Sequence, residues 1–330
     1  MIEVSKERLD SAFEKDNIDR LIHKLLNGIA KAAVPILLAE IVIAFLLTEK
    51  IYFIICLILF ALLDAALPFL ITFTVIFIYS AVKIVRTSGG LRPALKAFPK
   101  AKRTKKYYCL FMNEICSDNT MAEALSLVQS SGGKGYGYIS ALSHVVCCHS
   151  LRCEDDAAET AFEKMKDLPQ KDYISRNDHM VTAIDYAIAT HNNELFLRTV
   201  DEYSDILNQL PERNGEAVSA LLTVAAHEQK LLGNYKTALL YLEWCQEYKV
   251  KLRQRGEFSN RRPLSNYRIY SNAAVCLDKA ELYLLMKDTE NADAEIKKAD
   301  ECTAALTCAV PPAFVRERCR IVSHLTNPVI

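Results

Sequence analysis

His144, Cys147, Cys148, His149 and Cys153 are the side chains whose types and spacing come nearest to a reactive site. Histidine nitrogens and cysteine thiolates are zinc donors, and a structural zinc needs four of them converging, with cysteine pairs placed on a turn. On a helix, His144, Cys147 and Cys148 share one side, whereas His149 falls about 140° from His144. The geometry supplies three donors at best, so core and groove positions are expected here, and no metal. His227-Glu228-Gln229-Lys230-Leu231 begins like a metalloprotease helix, but Leu231 stands where the second zinc-binding histidine is required. Ser130-Ser131-Gly132-Gly133-Lys134-Gly135 looks like a phosphate-binding loop, yet it follows no strand and lacks the Gly-x₄-Gly-Lys-Ser/Thr order. It reads as an interhelical loop. No nucleophile–base pair, metal set or nucleotide loop emerges, so neither catalysis nor a cofactor is expected.

Glu40 and Asp64 matter for their surroundings. They are isolated acids in an apolar stretch from Ala32 to Val82, otherwise interrupted by Thr48-Glu49-Lys50. A run of that length exceeds the ~20 residues of one membrane crossing. It reads as a transmembrane hairpin with spans at 32–48 and 51–82, Glu40 and Asp64 lying within the bilayer. A carboxylate there costs at least ~2.5 kcal/mol, so each either faces the helix–helix seam, serves assembly, or acts on a proton or cation. A split near Asp64–Pro68 would give three crossings. Arg20, Lys24 and Lys31 on one flank and Lys83, Arg86, Arg92 and Lys96 on the other favour two, with both ends in the cytoplasm.

The rest of the chain is arranged around that stretch. Residues 1–31 read as an amphipathic helix resting at the membrane surface, with Ile18, Leu21, Ile22, Leu25, Leu26 and Ile29 on one side. Residues 83–106 form a basic connector holding nine Lys and Arg and no acid. Within it Arg86, Arg92, Lys96, Lys100, Lys102, Arg103, Lys105 and Lys106 are expected to meet anionic lipid headgroups. Residues 107–330 carry 24 basic and 31 acidic residues, a balance of −7 that opposes general nucleic-acid binding. Eleven irregularly spaced cysteines suit reduced thiols in a cytosolic domain. The expected localisation is therefore an integral membrane protein with both termini and the large domain on the cytosolic side, able to form homo-oligomers through its hairpin.

From residue 104 onward the apolar periodicity is helical throughout, and the fold class expected is all-α. In Ser219–Leu252, Leu222, Ala225 and Ala226 occupy one helix, Gly233-Asn234-Tyr235 turns the chain, and Ala238, Leu242 and Cys245 occupy the next. Ala273–Leu306 repeats the arrangement with Cys276, Ala280, Tyr283, Ala292, Ile296 and Ala299, and Ile139–Asp172 with Leu142, Val146, Ala158, Phe162 and Met165. These segments resemble tetratricopeptide repeats, degenerate and unevenly spaced over about 104–306, with Leu142, Leu222 and Cys276 where that family places an aromatic residue. The resemblance implies a solenoid of about five helix pairs. It also implies a concave groove, including His227, Lys230 and Glu281, that takes a peptide or helix of a protein partner. Arg253, Arg255, Arg261 and Arg262, in the insertion after the clearest repeat, form a candidate docking patch for an acidic partner or a membrane surface. The function expected is a membrane-anchored scaffold or adaptor. The alternative is a regulatory subunit or oligomeric effector that uses Glu40 and Asp64 inside the membrane.

Overall fold

The computed structural model describes residues 2, 4–14, 104–133, 135–170, 173–213, 217–254 and 265–326. Among them the chain is all-α, with thirteen helices and no strand. In chain order they are α1 (6–14), α2 (104–114), α3 (Asp118–Ser130), α4 (Gly135–Leu151), α5 (Asp155–Lys166), α6 (Tyr173–Ala189), α7 (Asn193–Glu202), α8 (Ser204–Arg213), α9 (Val218–Leu231), α10 (Tyr235–Gln254), α11 (Asn266–Leu285), α12 (Thr289–Ala304) and α13 (Pro312–Thr326).

No helix among the described residues is long and apolar enough to cross a membrane. This corrects the expectation of an integral membrane protein with cytoplasmic termini and a membrane anchor. The two longest helices, α10 and α11, have 20 residues each and are amphipathic rather than apolar. α10 carries Lys236, Glu243, Glu247, Lys249 and Lys251, and α11 carries Arg268, Asp278, Lys279 and Glu281. Such helices bury one face against protein and leave the other to water. The stretch 32–82 on which the expectation rested, with Glu40 and Asp64, lies outside the described residues.

Four helix pairs are closed by turns of one geometry. Cys153, His191, Gly233 and Lys287 have φ of 57°, 53°, 79° and 63°. The next residue's N–H reaches back five positions: Glu154 to the His149 carbonyl at 3.0 Å, Asn192 to Ala187 at 2.8 Å, Asn234 to Gln229 at 2.9 Å and Asp288 to Tyr283 at 2.8 Å. This is the Schellman ending, in which a left-handed residue satisfies the last carbonyls of a helix. The following residue then starts the next helix. Asn192 accepts from the Leu195 N–H at 2.9 Å and Asp288 from the Asn291 N–H at 3.1 Å, each filling a donor the new helix would leave open. The pairs so formed are α4/α5, α6/α7, α9/α10 and α11/α12.

Small residues let the pairs close tightly. Ala225, Ala226 and Ala238 are buried between α9 and α10, as are Ala273, Ala280, Ala292 and Ala299 between α11 and α12. Among the described residues, successive pairs bury three apolar clusters, and the largest takes in more of the chain than the repeats. Ile2, Leu9 and Phe13, from the first fourteen residues, are buried in the same cluster as Leu207, Leu221, Leu242 and Tyr248. Polar contacts fix this segment: the Ile2 N–H donates to the Glu228 carboxylate at 3.0 Å, and the Tyr248 hydroxyl donates to Asp10 at 2.7 Å. Residue 2 and residues 4–14 are thus packed against protein in the described structure; residues 15–31 lie outside it.

The last helices return to the first. Phe111 of α2 meets Tyr267 of α11 with ring centroids 4.9 Å apart, and Tyr270 meets Phe314 of α13 at 6.2 Å. Asn266 donates to the Asn113 carbonyl and to the Thr307 hydroxyl, while Arg316 of α13 pairs with Asp155 of α5 at 2.8 Å. The first helices of the pairs, α4, α6, α9 and α11, also bring side chains near one another, and these side chains make up what we call the inner wall.

Candidate functional site

The inner wall is recognised by side chains that water reaches although protein crowds round them. Asp185 on α6 is exposed, yet its carboxyl is desolvated enough to be pushed up to about 7. Its neighbours on α6, Ala183 and Tyr186, pack in one apolar cluster with Cys147, Tyr267 and Tyr270, which sets Asp185 among side chains of α4 and α11. Asp278 on α11 is half-buried and rises to about 6, mainly through burial, with Lys230 pulling the other way. Tyr267 and Tyr270 are half-buried, and burial raises both hydroxyls, Tyr267 being raised further by the nearby charge of Asp185. The Cys147 thiol on α4 is raised by burial and then by Asp185.

Farther along the wall the charges are paired. Lys230 on α9 donates to Glu281 on α11 at 2.7 Å, and Arg320 on α13 donates to Glu281 and to Glu317 at 2.5 Å each. Burial by itself would raise the Glu281 carboxyl; the two cations outweigh it and hold the group down at about 2. His227, one turn before Lys230, is kept neutral chiefly by burial and then by the Lys230 charge, at about 3. Its ring meets Phe196 edge-on at 4.5 Å. His227, Lys230 and Asp278 line a cavity of about 40 Å³, whose floor is Ala226, Leu242 and Leu282. The three groove residues expected from the repeat register, His227, Lys230 and Glu281, are thus brought to one place.

The other expected residues fall differently. His144 stacks on Tyr107 with centroids 4.1 Å apart, Cys148 lies 3.7 Å from the Tyr107 hydroxyl, and His149 contacts Glu154 at 2.5 Å. No group of three His, Cys, Asp or Glu able to hold a metal occurs among the described residues. Glu228 is buried beneath the N-terminal segment, where it accepts the Ile2 N–H. Gly132 and Gly133, at φ of 68° and 70°, close α3, and the Ser130 and Ser131 hydroxyls bond back to the Leu127 and Val128 carbonyls. Those residues end a helix. Lys105 and Lys106 are on α2, with Lys106 paired to Glu123, while Arg86, Arg92, Lys96, Lys100, Lys102 and Arg103 lie outside the described residues. Arg253 falls in the last turn of α10; Arg255, Arg261 and Arg262 also lie outside.

Sequence reasoning missed Asp185, Tyr267, Tyr270, Asp278 and Arg320. One signal was present. At 100° per residue, Tyr267, Tyr270, Asp278 and Glu281 fall within an arc of roughly 80° on α11, a polar and aromatic stripe along the helix. The wall can offer aromatic faces, phenol oxygens and carboxylates to an elongated guest. No family model, no curated protein and no solved structure matches this chain.

Proposed function

We propose that this protein is a helical-repeat scaffold that holds a peptide segment of a protein partner against its inner wall. Its repeated helix pairs resemble a tetratricopeptide-type solenoid, in which the first helices face the concave side. The observation that carries the reading is the wall itself: Cys147, Asp185, Lys230, Tyr267, Tyr270 and Asp278 come from four helix pairs, Asp185 exposed and the other five half-buried. Such a surface suits an extended or helical segment, which takes its affinity from several shallow contacts in line. Binding, and not catalysis, is the role the chemistry favours. Burial pushes the Cys148 thiol up to about 11, so it stays protonated and unreactive near neutral pH.

The test is site-specific photo-crosslinking in cells. A benzophenone amino acid placed at Lys230 or Tyr270 should join the protein to a partner segment identifiable by mass spectrometry. The same probe at Lys236 or Lys297, on second helices of their pairs, should not. Crosslinks arising from the second-helix positions alone would overturn the reading.

A further inference from the structure

The paired and unpaired charges of the wall are unevenly divided. Among the described residues the cations beside it are partnered: Lys230 is on Glu281, Arg320 is on Glu281 and Glu317, and Lys249 donates to the Ser271 carbonyl at 2.9 Å and hydroxyl at 2.8 Å. Asp185 has no hydrogen bond and no ion pair among the described residues, although it is open to solvent. The Tyr267 and Tyr270 hydroxyls have no hydrogen bond among the described residues either; their rings stand 6.4 Å apart and pack in one apolar cluster with Ala183 and Tyr186, the α6 residues on either side of Asp185. Phe111 packs on Tyr267 and Phe314 on Tyr270, so both rings are held in place from behind.

We propose that Asp185 and the Tyr267–Tyr270 wall form a receptor for one basic side chain, preferably arginine, of the partner's bound segment. This deepens the scaffold reading and rests on it. The chemistry needed is a cation with several hydrogen-bond donors and a flat face. A guanidinium supplies five N–H donors, enough for a carboxylate and two phenol oxygens, and it stacks on aromatic rings. A cation also satisfies the carboxylate that this chain leaves bare. An acidic segment would meet Asp185 and Asp278 with like charge, and a neutral one would leave Asp185 uncompensated.

The groups facing Asp185 are the Cys147 thiol from α4 and the Tyr267 hydroxyl from α11, and burial keeps both protonated near neutrality. Asp185, raised to about 7, therefore titrates within the working range. A bound cation favours the ionised carboxyl, so binding of the arginine segment strengthens from about pH 6 to about pH 8 and levels off above.

The experiment uses the full chain and a fluorescein-labelled alanine–serine peptide with one central arginine. Peptides carrying citrulline or glutamate at that position are the comparison, and binding is read by fluorescence anisotropy. At about pH 8 the arginine peptide should bind about tenfold more tightly than the citrulline peptide, the scale of a charge-assisted contact. At about pH 5.5 the gap should shrink below about threefold. Asp185→Asn should abolish the gap and its pH dependence. Asp293→Asn, on α12 and paired with Lys297 at the surface, should retain both. Asp185→Asn substitutes a neutral group where the fold disfavours charge, and a thermal melt verifies its folding. Tyr267→Phe, which keeps the ring and loses the hydroxyl, gives a second reading with about threefold weaker binding. A gap that is absent, survives Asp185→Asn, or disappears equally in Asp293→Asn overturns the inference. If inner-wall crosslinking identifies a partner segment with no basic residue, the receptor fails while the scaffold stands; if the wall crosslinks nothing, both fail.

Discussion

Replacing Glu281 by glutamine tests the electrostatics of the wall in a form that pH can switch. In the folded chain Lys230 and Arg320 hold the Glu281 carboxyl at about 2, against an ordinary value of 4.5. The difference, 4.5 − 2, is 2.5 pH units, and at 1.36 kcal/mol per unit it corresponds to about 3 kcal/mol of stability. Little discount for solvent is needed on the Lys230 side, where the two side chains are 18% and 15% exposed. The sign follows from linkage. A depressed carboxyl binds its proton more weakly in the folded chain, so its contribution is fully present above the unfolded value of 4.5. It fades as the pH falls through about 2. Glu281→Gln should therefore cost about 3 kcal/mol at pH 7, most of that at pH 5, and progressively less below pH 4, with Lys230 and Arg320 left uncompensated. Urea denaturation followed by the fluorescence of Trp244, the sole tryptophan, measures both proteins at each pH. A difference that is negligible at pH 7, or that stays constant from pH 7 to pH 3, would refute the reasoning.

Two further outcomes are expected. Leu9→Ala should destabilise the protein by about 3 kcal/mol, because Leu9 is 1% exposed in the core that unites the N-terminal segment with α9 and α10; urea denaturation checks it, and a change under about 0.5 kcal/mol would show that the segment is not part of the folded unit. Lys287→Gly should stabilise by about 0.5 kcal/mol and Gly233→Ala should destabilise by about 1 kcal/mol, since both positions have left-handed φ and open space where a Cβ would sit at Gly233; opposite shifts in melting temperature are the readout.

The helical class and the pairing of α9 with α10 were legible in the sequence, because burying a helix face requires apolar residues at three- and four-residue steps. Close contact also requires small ones, and Ala226 and Ala238 met both conditions. Gly233-Asn234 announced its turn because glycine takes positive φ without strain. The three equivalent turns were hidden, since Cys153, His191 and Lys287 adopt the same backbone only when tertiary packing offsets the local cost. The resemblance to tetratricopeptide repeats brought His227, Lys230 and Glu281 into view, but their ionic network needed Arg320 from α13 to complete it. No periodicity could give that, because it depends on the last helix returning to the inner wall.

The N-terminal segment and the wall divide along the same line. In residues 1–31 the helical periodicity read from the sequence runs from Ile18 to Ile29 and leaves out Leu9 and Phe13; only the tertiary structure shows that these two pack on α9 and α10, some two hundred positions away. The membrane placement came from the hydropathy of 32–82, the charges flanking it and the cysteine usage, and no described helix is long and apolar enough to cross a membrane. Nothing in the local sequence set Asp185 apart from the other acids of the chain. Packing made it distinctive: the helix pairs bring Tyr267 and Cys147 near it from other parts of the chain, and no described cation pairs with it. Local sequence determines which faces of a helix avoid water. Which polar groups end up sharing an enclosed space is set by long-range packing, because desolvation depends on every atom nearby regardless of its place in the chain.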